Sequence, residues 1–358
     1  MANDLRIFQA MAGARLGGAE GFFERLAIAF ARAGLAQRVA IRRDDARAQR
    51  LIDGGVAVTQ LRFGGPFDLA TRAALASQLG AFDPTIALGW MNRACAALPP
   101  RVLVRKPRYV AVGRLGGYYD LKYYRRCDWL IANTPDLRDY LIRKGWPAAR
   151  AVYLPNFVDA TPAAAIDRAS LGTRDDQPLA LALGRLHANK GFDVLIAAAA
   201  MRPELQVWIA GEGPLESDLR RQARELGVES RIRFLGWRQD IGALLAAADL
   251  LVCPSRHEPL GNVIIEAWAH RRPVVAAASA GPSQLIRHTE TGVLVAVDDA
   301  AALAAANAAI IADPAQGAAL AAAGRAAYEA EFTEAAVVTR YLEFFAEITA
   351  QSRAQAPT

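Results

Sequence analysis

Two basic residues, Arg185 and Lys190, stand five positions apart in the segment LGRLHANKG. The apolar run Leu179–Leu183 precedes them, and a helix-like stretch begins near Phe192. Open α/β sheets bind ligands in this arrangement, beyond the carboxyl ends of their strands. A guanidinium can grip a phosphate through two parallel hydrogen bonds and an ammonium acts as a point charge, so the pair suits a diphosphate. Two solvated loop cations would give the same pattern.

Two glutamates, Glu258 and Glu266, lie eight positions apart in the segment PSRHEPLGNVIIEA. Pro259 keeps Glu258 outside a helix, whereas Glu266 falls in an apolar stretch, about 261–270, that we expect to form a buried helix. A buried carboxylate needs a partner, which a ribose diol or an internal arginine would supply. The amides that open this helix would point at a bound anion, and they belong to Leu260, Gly261 and Asn262.

These two segments resemble the donor-domain signature of the retaining glycosyltransferases of family 4, G-R-L-x-x-x-K-G followed by P-S-x-x-E-x-x-G-x-x-x-x-E-A. The resemblance is close over about residues 179–295 and loose elsewhere. It implies an α/β protein of the GT-B class, in which two Rossmann-like β/α/β domains face each other across a cleft. It also implies transfer of a sugar, with retained configuration, from a UDP- or GDP-linked donor to a glycan or glycolipid acceptor, as in bacterial lipopolysaccharide-core or surface-polysaccharide synthesis. The nucleotide sugar would be a co-substrate, and no cofactor is implied.

The resemblance assigns roles to individual residues. Arg185 and Lys190 would bind the donor diphosphate, and Glu258 would accept a hydrogen bond from the transferred sugar. These three form the implied catalytic set. The implied donor-binding residues further include Glu266 at the ribose, the amides of Leu260 and Gly261 at the sugar, that of Asn262 at a phosphate, and Trp237 and Arg238 beside the base.

The first half of the chain carries weaker signals. The segment LGGAE follows the first predicted strand, where the family has a glycine loop beneath the donor phosphates and the acceptor, so Gly17 and Gly18 would lie close to the anion. At residues 109–119, YVAVGRLGGYY, the chain departs from the family pattern, because many relatives carry a histidine there near the reacting sugar. Either another group, such as Arg114 or Tyr118, supplies that contact, or the alignment with the family fails locally.

Metal ions and other activities find little support in the sequence. No D-x-D segment occurs, so we expect metal-independent activity in which the two cations neutralise the leaving diphosphate. A nucleotide-sugar-binding protein without transferase activity is the alternative, because the family histidine is missing. A dinucleotide oxidoreductase fits less well, since LGGAE is not G-x-G-x-x-G. No nucleic-acid-binding motif is present, and we expect no such partner.

The net charge of +6 is unevenly distributed. Residues 1–160 hold 24 Lys and Arg against 13 Asp and Glu, a net charge of +11, whereas the rest of the chain carries −5. A basic half suggests an anionic partner, such as a phosphorylated glycolipid or the inner-membrane surface. Alternatively, the positive charge of this half reflects an arginine-rich composition and not an anionic partner. The candidate acceptor or membrane contacts are Arg101, Arg105, Lys106 and Arg108, with Arg114 and Tyr118 near the acceptor.

Length and pattern predict two domains, because 358 residues exceed the size of one core. Apolar runs alternate with helical stretches, which indicates parallel sheets. We expect an acceptor-binding domain at 1–160, a donor-binding domain at 161–333, and a helix at 334–358 that returns to the first domain and ends in a loose tail. The Ala- and Pro-rich stretch 160–178, where the second domain begins, resembles an interdomain linker. The N-terminus lacks a secretion-signal pattern, and the three cysteines are scattered. We therefore expect a cytoplasmic protein, or one held peripherally at the inner face of the cytoplasmic membrane.

Overall fold

A computed structural model describes residues 5–15, 17–65, 67–105 and 108–354. The chain forms two units, one of Met1–Asn156 with Glu334–Thr358 and the other of Phe157–Thr333. The main chain therefore passes from the first unit to the second and returns for its last segment. Among the described helices, none is both long and apolar enough to cross a lipid bilayer.

The first unit is built on a parallel sheet of seven strands in the order β3-β2-β1-β4-β5-β6-β7. The strands are β1 (Arg6–Met11), β2 (Ala36–Arg42), β3 (Ala57–Leu61), β4 (Ile86–Trp90), β5 (Val110–Arg114), β6 (Trp129–Ala132) and β7 (Ala151–Tyr153). The helices between them are α1 (Gly18–Arg32), α2 (Asp45–Asp53), α3 (Leu69–Phe82), α4 (Met91–Ala97) and α5 (Pro135–Arg143). Strands β4 and β5 are buried along their whole length, as expected of central strands covered on both faces.

The second unit is a parallel sheet of six strands in the order β10-β9-β8-β11-β12-β13. Its strands are β8 (Leu179–Leu183), β9 (Gln206–Ala210), β10 (Ile232–Phe234), β11 (Leu250–Cys253), β12 (Val274–Ala277) and β13 (Val293–Val295). Its helices are α6 (Phe192–Ala200), α7 (Glu216–Glu225), α8 (Ile241–Ala247), α9 (Asn262–Ala269), α10 (Ala280–Leu285), α11 (Ala300–Ala312) and α12 (Pro314–Glu331). Apolar clusters fill both faces of this sheet.

The last helix, α13 (Glu334–Ala354), packs on the first unit. Its aromatic face explains the attachment. Tyr341 and Phe345 lie edge-on to Phe30 of α1, with ring centroids 5.9 and 6.2 Å away, and Phe344 lies 5.6 Å from Trp129 of β6. Such aromatic contacts add stability beyond the apolar area that they bury.

The segment that the composition marks as a linker is instead part of the second unit. The unit begins at Phe157, and residues 160–178 run over its surface. Arg168 ties this stretch down, because its guanidinium donates to the carbonyl of Ala247 and to Asp249, both at 2.8 Å. The amide of Ile166 also donates to the carbonyl of Ala243 at 3.3 Å. An alanine- and proline-rich composition therefore marked irregular structure here, not a free connection.

Each sheet has one point at which the strand order reverses, between β1 and β4 in the first and between β8 and β11 in the second. Ligands of doubly wound sheets bind beyond the carboxyl ends of the strands at such a point. In the second sheet the two strands pair only at Leu250 with Ala180 and Leu251 with Leu181, whereas β8 and β9 pair over five residues. The carboxyl ends of β8 and β11 are thus unpaired with each other, and the two charged motifs follow them.

Candidate functional site

The two motifs meet at the backbone. The first, residues 184–191, is the loop between β8 and α6, and the second, residues 254–261, is the loop between β11 and α9. The amide of His257 donates to the carbonyl of Asn189 at 3.0 Å. Gly191 has a left-handed backbone, with φ of +64°, and an ideal Cβ built on it would lie 2.1 Å from the carbonyl oxygen of Pro254. The close approach of the loops therefore requires glycine at this position.

Lys190 and Glu258 form an ion pair across the two loops. Glu258 is only 8% exposed, and its Oε1 accepts a hydrogen bond of 3.3 Å from the amide of Gly261. Ser255 Oγ lies 3.5 Å from its Oε2. The carboxylate is therefore fixed by one charge and by local donors. Two side chains that the sequence assigns to different parts of one ligand thus bind each other in the ligand-free chain.

Arg185 is exposed beside this pair. In the part of the chain that the structure describes, its guanidinium has neither a hydrogen bond nor an ion pair. The aliphatic part of the Lys190 side chain packs over Gly184, the residue before Arg185. An ideal Cβ on Gly184 would lie 3.2 Å from Lys190 Cε. The structure thus brings both predicted cations to the same edge of the second sheet, with one paired and the other open to a ligand.

A cysteine beneath the site does not act as a nucleophile. Cys253 is buried at the end of β11, 3.6 Å from Ser255 Oγ. Burial raises the pKa of its thiol to about 11, and the charge of Glu258 adds to the shift. A thiol attacks only as the thiolate, so Cys253 stays protonated and inert at neutral pH.

Helix α9 begins at the site. Gly261 caps it with φ of +84°, and the side chain of Leu260 is 7% exposed. The apolar sequence of the helix predicts burial on all sides, but part of its surface is only partly buried. Asn262 and Glu266, one turn apart, are both only partly buried. The expectation that Glu266 is a buried carboxylate was therefore wrong, because it lies on the face of α9 that remains accessible.

Trp237 and Arg238 follow the edge strand β10. The indole of Trp237 is 56% exposed, and its amide donates to Glu212 at 3.3 Å. The guanidinium of Arg238 makes a bidentate contact with the carboxylate of Asp240, with hydrogen bonds of 2.8 and 2.5 Å. This hydrogen bonding raises the pKa of Arg238 further. The aromatic face is thus free to stack on a base, whereas the guanidinium already has a carboxylate partner.

Comparisons with known proteins agree with these motifs. Residues 16–161 match the family model described as Glycosyltransferase Family 4, and residues 164–329 match the one described as Glycosyl transferases group 1. The lipopolysaccharide core biosynthesis glycosyltransferase LpsE of Rhizobium meliloti (strain 1021) is 34% identical over 333 residues, which cover 92% of this chain and 96% of LpsE. The chain belongs to glycosyltransferase family 4. LpsD of the same organism, also named as a lipopolysaccharide core biosynthesis glycosyltransferase, is 33% identical over 92% of this chain and 95% of LpsD.

Solved structures share the fold of this glycosyltransferase. The Anabaena protein HepE in complex with UDP superposes with a TM-score of 0.83 at 23% identity, over 96% of this chain and all of that one. A glycosyltransferase from Rickettsia africae superposes with a TM-score of 0.85 at 18% identity, over 97% of this chain and 99% of that one. The expected GT-B class, with two Rossmann-like parallel-sheet domains, is confirmed.

In the first unit of this glycosyltransferase, a carboxylate occupies the glycine loop. Gly17 caps α1, Gly18 is its first residue, and both are exposed, while Leu16 of the same motif lies outside the described residues. Glu20 is 6% exposed and accepts a hydrogen bond of 2.8 Å from the amide of Ala14. An ideal Cβ on Gly17 would lie 2.2 Å from its Oε2. Sequence reasoning missed Glu20, although an acid in the first turn of a helix is a signal for such a contact.

The expectation that Arg114 contacts the acceptor substrate was wrong, because the protein buries its side chain. Its side chain is 1% exposed at the end of β5, and its guanidinium stacks on Phe22 and Trp90 at 4.5 and 4.7 Å from the ring centroids. It donates to the hydroxyl of Tyr341 at 2.8 Å and to Asn156 Oδ1. A buried guanidinium needs such acceptors, so Arg114 fastens α13 to the sheet.

Tyr118 stays near the carboxyl edge of the first sheet. It is 37% exposed and donates its hydroxyl to Asp136, while its ring lies edge-on to Tyr140 at 5.1 Å. Burial, and then the hydrogen bond to Asp136, raises the pKa of Tyr118 to about 12. Its hydroxyl is therefore protonated at neutral pH and acts as a donor, not as a base.

The basic segment that starts at Arg101 lies at the opposite, amino edge of that sheet, just before β5. Arg101 forms an ion pair with Asp128 and stacks on Tyr109, so its charge is neutralised locally. Arg105 and Arg108 are exposed, and Lys106 lies outside the described residues. Two apolar neighbours also project into solvent, because Val102 is 87% and Leu103 62% exposed. The segment begins with a 3₁₀ turn over Arg101–Leu103.

Proposed function

We propose that this glycosyltransferase binds a nucleoside diphosphate sugar, with UDP or GDP as the leaving group, at the loops that follow β8 and β11. The observation that carries the proposal is the exposed guanidinium of Arg185, which is unpaired among the described residues and belongs to the loop that also carries Lys190 of the Lys190–Glu258 pair. The amino end of α9 follows the other loop. The strand order reverses at this point, where α/β sheets bind nucleotides. Trp237 is the surface on which the base would stack.

Electrostatic stabilisation would carry the chemistry. As the bond between the anomeric carbon and the diphosphate oxygen breaks, negative charge builds on the leaving group. Arg185, Lys190 and the amide of Asn262 would stabilise that charge. Glu258 would hold a hydroxyl of the sugar, and Glu266, on the accessible face of α9, the ribose. The acceptor hydroxyl would attack on the face that the diphosphate leaves and pass its proton to a phosphate oxygen, which retains the configuration.

A lipopolysaccharide-core intermediate is the proposed acceptor. Two relatives that match this chain over nearly its whole length are named as lipopolysaccharide core biosynthesis glycosyltransferases. Such an acceptor is an anionic glycolipid, and residues 1–160 carry a net charge of +11 that would attract it. Gly17, Gly18 and Tyr118, all at the carboxyl edge of the first sheet, are the proposed contacts on that side.

We also propose that the enzyme is cytoplasmic and attaches peripherally to the inner face of the membrane through the segment that starts at Arg101. Exposed arginines at 105 and 108 would meet anionic headgroups, each worth about 1 kcal/mol near the surface. Val102 and Leu103 would enter the interface between them. Lys106 belongs to the same proposal from the sequence alone.

Arg185→Ala tests the diphosphate site. Loss of a charge-assisted hydrogen bond costs about 1.5–3 kcal/mol, so the Kd for UDP or GDP, measured by calorimetry, should rise about 10- to 150-fold while the melting temperature is unchanged. Arg174→Ala is the matched control, because Arg174 is an exposed arginine that precedes β8 at the other edge of the same sheet. Equal affinity in the wild type and the Arg185 variant would overturn the site.

The two glutamates separate binding from turnover. Glu266→Ala should weaken binding of the free nucleoside diphosphate, whereas Glu258→Gln should leave it nearly unchanged and lower turnover, since a lost contact to the sugar affects the reacting geometry. A thermal-shift screen with UDP-, GDP-, ADP- and dTDP-sugars identifies the base, because a ligand of the native state raises its stability by mass action. Equal loss of nucleotide affinity in both variants would contradict the assignment.

The membrane proposal is tested with Arg105→Glu/Arg108→Glu. Co-sedimentation with vesicles that contain anionic lipid should fall, and binding of the wild type should weaken with salt, because the Debye length is only about 8 Å at physiological ionic strength. Arg42→Glu/Arg43→Glu changes the charge equally at the opposite edge of the same sheet and is the control. Equal sedimentation of the two double variants would refute this attachment site.

A further inference from the structure

Arg256 bridges the two loops of the candidate donor site, and neither the family signature nor the site described above gives it a role. Its guanidinium makes a bidentate contact with Asp193 in the first turn of α6, at 2.8 and 2.5 Å. The same group donates to the carbonyl of Ala188 at 2.9 Å and to Asp298 at 2.5 Å. One side chain of the second loop therefore binds the first loop at its backbone and the helix that follows it.

These bonds leave little of the guanidinium for a ligand. An arginine has five N–H donors, and four of the five on Arg256 are used within the second unit. Arg185 stands in contrast, since it has no such contacts among the described residues. The two arginines thus differ in kind, because one is open to an anion and the other is saturated by the protein.

The contacts of Arg256 fall on both sides of Lys190. Ala188 lies two residues before it and Asp193 three residues after it, while Glu258, the partner of Lys190, lies two residues beyond Arg256 itself. The pair between Arg256 and Asp193 is also charged throughout the neutral range. Hydrogen bonding to Arg256 lowers the pKa of the Asp193 carboxyl, and hydrogen bonding to Asp193 raises the pKa of Arg256.

We propose that Arg256 is a positioning residue, which holds the loop of Lys190 against the loop of Glu258 so that both side chains are in place before the donor binds. The proposal rests on the proposed function of this site. Without the brace, the amide contact of His257 still joins the two loops, but the contacts of the second loop with Ala188 and with Asp193 of α6 are lost. The diphosphate would then have to order the loop as it binds, at a cost in affinity and in reacting geometry.

Steady-state kinetics with variants of the brace test this proposal. For Arg256→Ala we expect kcat/KM for the donor to fall about 10- to 100-fold, in line with a misplacement of about 1 Å at a reacting centre, while KM for the acceptor is unchanged. Arg256→Lys keeps the charge but not the bidentate geometry and should recover only part of the loss. Asp193→Asn should resemble Arg256→Ala. Asp298→Asn, which leaves the contacts to the Lys190 loop intact, is the matched control and should change kcat/KM less than about 3-fold.

Rescue by a small cation separates positioning from general stability. Guanidinium at millimolar concentration should restore part of the donor kcat/KM of Arg256→Ala and none of that of Asp193→Asn, since only the first variant leaves an anionic carboxylate without its partner. An Arg256→Ala enzyme with wild-type donor kinetics would overturn the brace and leave the Arg185 site standing. If Arg185→Ala also binds nucleotide normally, both proposals fall. If KM for the donor and KM for the acceptor both rise in the Arg256→Ala variant, and guanidinium does not rescue it, Arg256 has only a structural role.

Discussion

Replacing Gly191 with alanine should destabilise the protein in two ways, through strain in the left-handed backbone and through a collision of the new Cβ. Gly191 and Gly227 have nearly the same left-handed backbone, with φ of +64° and +68°. An added Cβ on Gly191 would lie 2.1 Å from the carbonyl oxygen of Pro254, well inside the 3.0 Å that real Cβ atoms keep, whereas one on Gly227 would have no heavy atom within 4 Å. The two variants therefore share the backbone strain and differ in the collision.

The backbone strain alone costs about 1–2 kcal/mol for an alanine in the left-handed region. Relief of the collision adds about 1–3 kcal/mol, the usual cost of overpacking. Since each kcal/mol lowers the melting temperature of a unit of this size by about 2–4 °C, Gly227→Ala should lower it by about 2–8 °C and Gly191→Ala by about 4–20 °C. The collision also moves the backbone next to Lys190, so turnover should fall about 100-fold in the Gly191 variant alone.

Differential scanning fluorimetry and donor kinetics on the two variants give the comparison. Because both glycines lie in the second unit, the same transition reports on each. The reasoning fails if Gly191→Ala is no less stable than Gly227→Ala and retains full turnover. The two loops would then have room for a Cβ that the structure does not provide.

Three further results are expected. Activity should persist in EDTA, because Arg185 and Lys190 neutralise the leaving group; restoration by Mg²⁺ after its loss would contradict this. Tyr341→Phe leaves an N–H of the buried Arg114 unpaired and should destabilise the first unit by about 1.5–3 kcal/mol in urea unfolding; an unchanged midpoint would refute the contact. Burial lowers the pKa of His270, so the folded state disfavours its protonation and the second unit should lose stability as pH falls below about 6.5; His270→Gln should flatten that dependence in thermal melts, and an equally steep curve would rule His270 out.

Much of the fold followed from apolar runs of the right length. Strand β8 coincides with the apolar run Leu179–Leu183, which is short, wholly apolar and bounded by Pro178 and Gly184. Strand β13 was missed, since three residues at an edge of the sheet give no period to read. The helix expected within 334–358 is α13, which runs from Glu334 to Ala354.

The site was harder to predict where long-range contacts decide it. Lys190 and Glu258 lie on loops that follow neighbouring strands, and the structure pairs them. The burial of Arg114 could not be predicted, since its acceptor Tyr341 is 227 positions away. Glu266 was misjudged for a simpler reason, namely that apolar neighbours on a helix do not show which narrow face stays open.

The return of α13 to the first unit has a consequence for synthesis on the ribosome. The seven-stranded sheet is complete in sequence once β7 has emerged, yet the acceptor for Arg114 and the aromatic cover for Phe30 and Trp129 come only with the last helix. Phe157–Thr333, which is continuous, is made in between. Since domains fold as units during synthesis, the second unit finishes while the first still exposes an apolar surface. A chain that stops before Glu334 would therefore leave Phe30 and Trp129 without their aromatic cover.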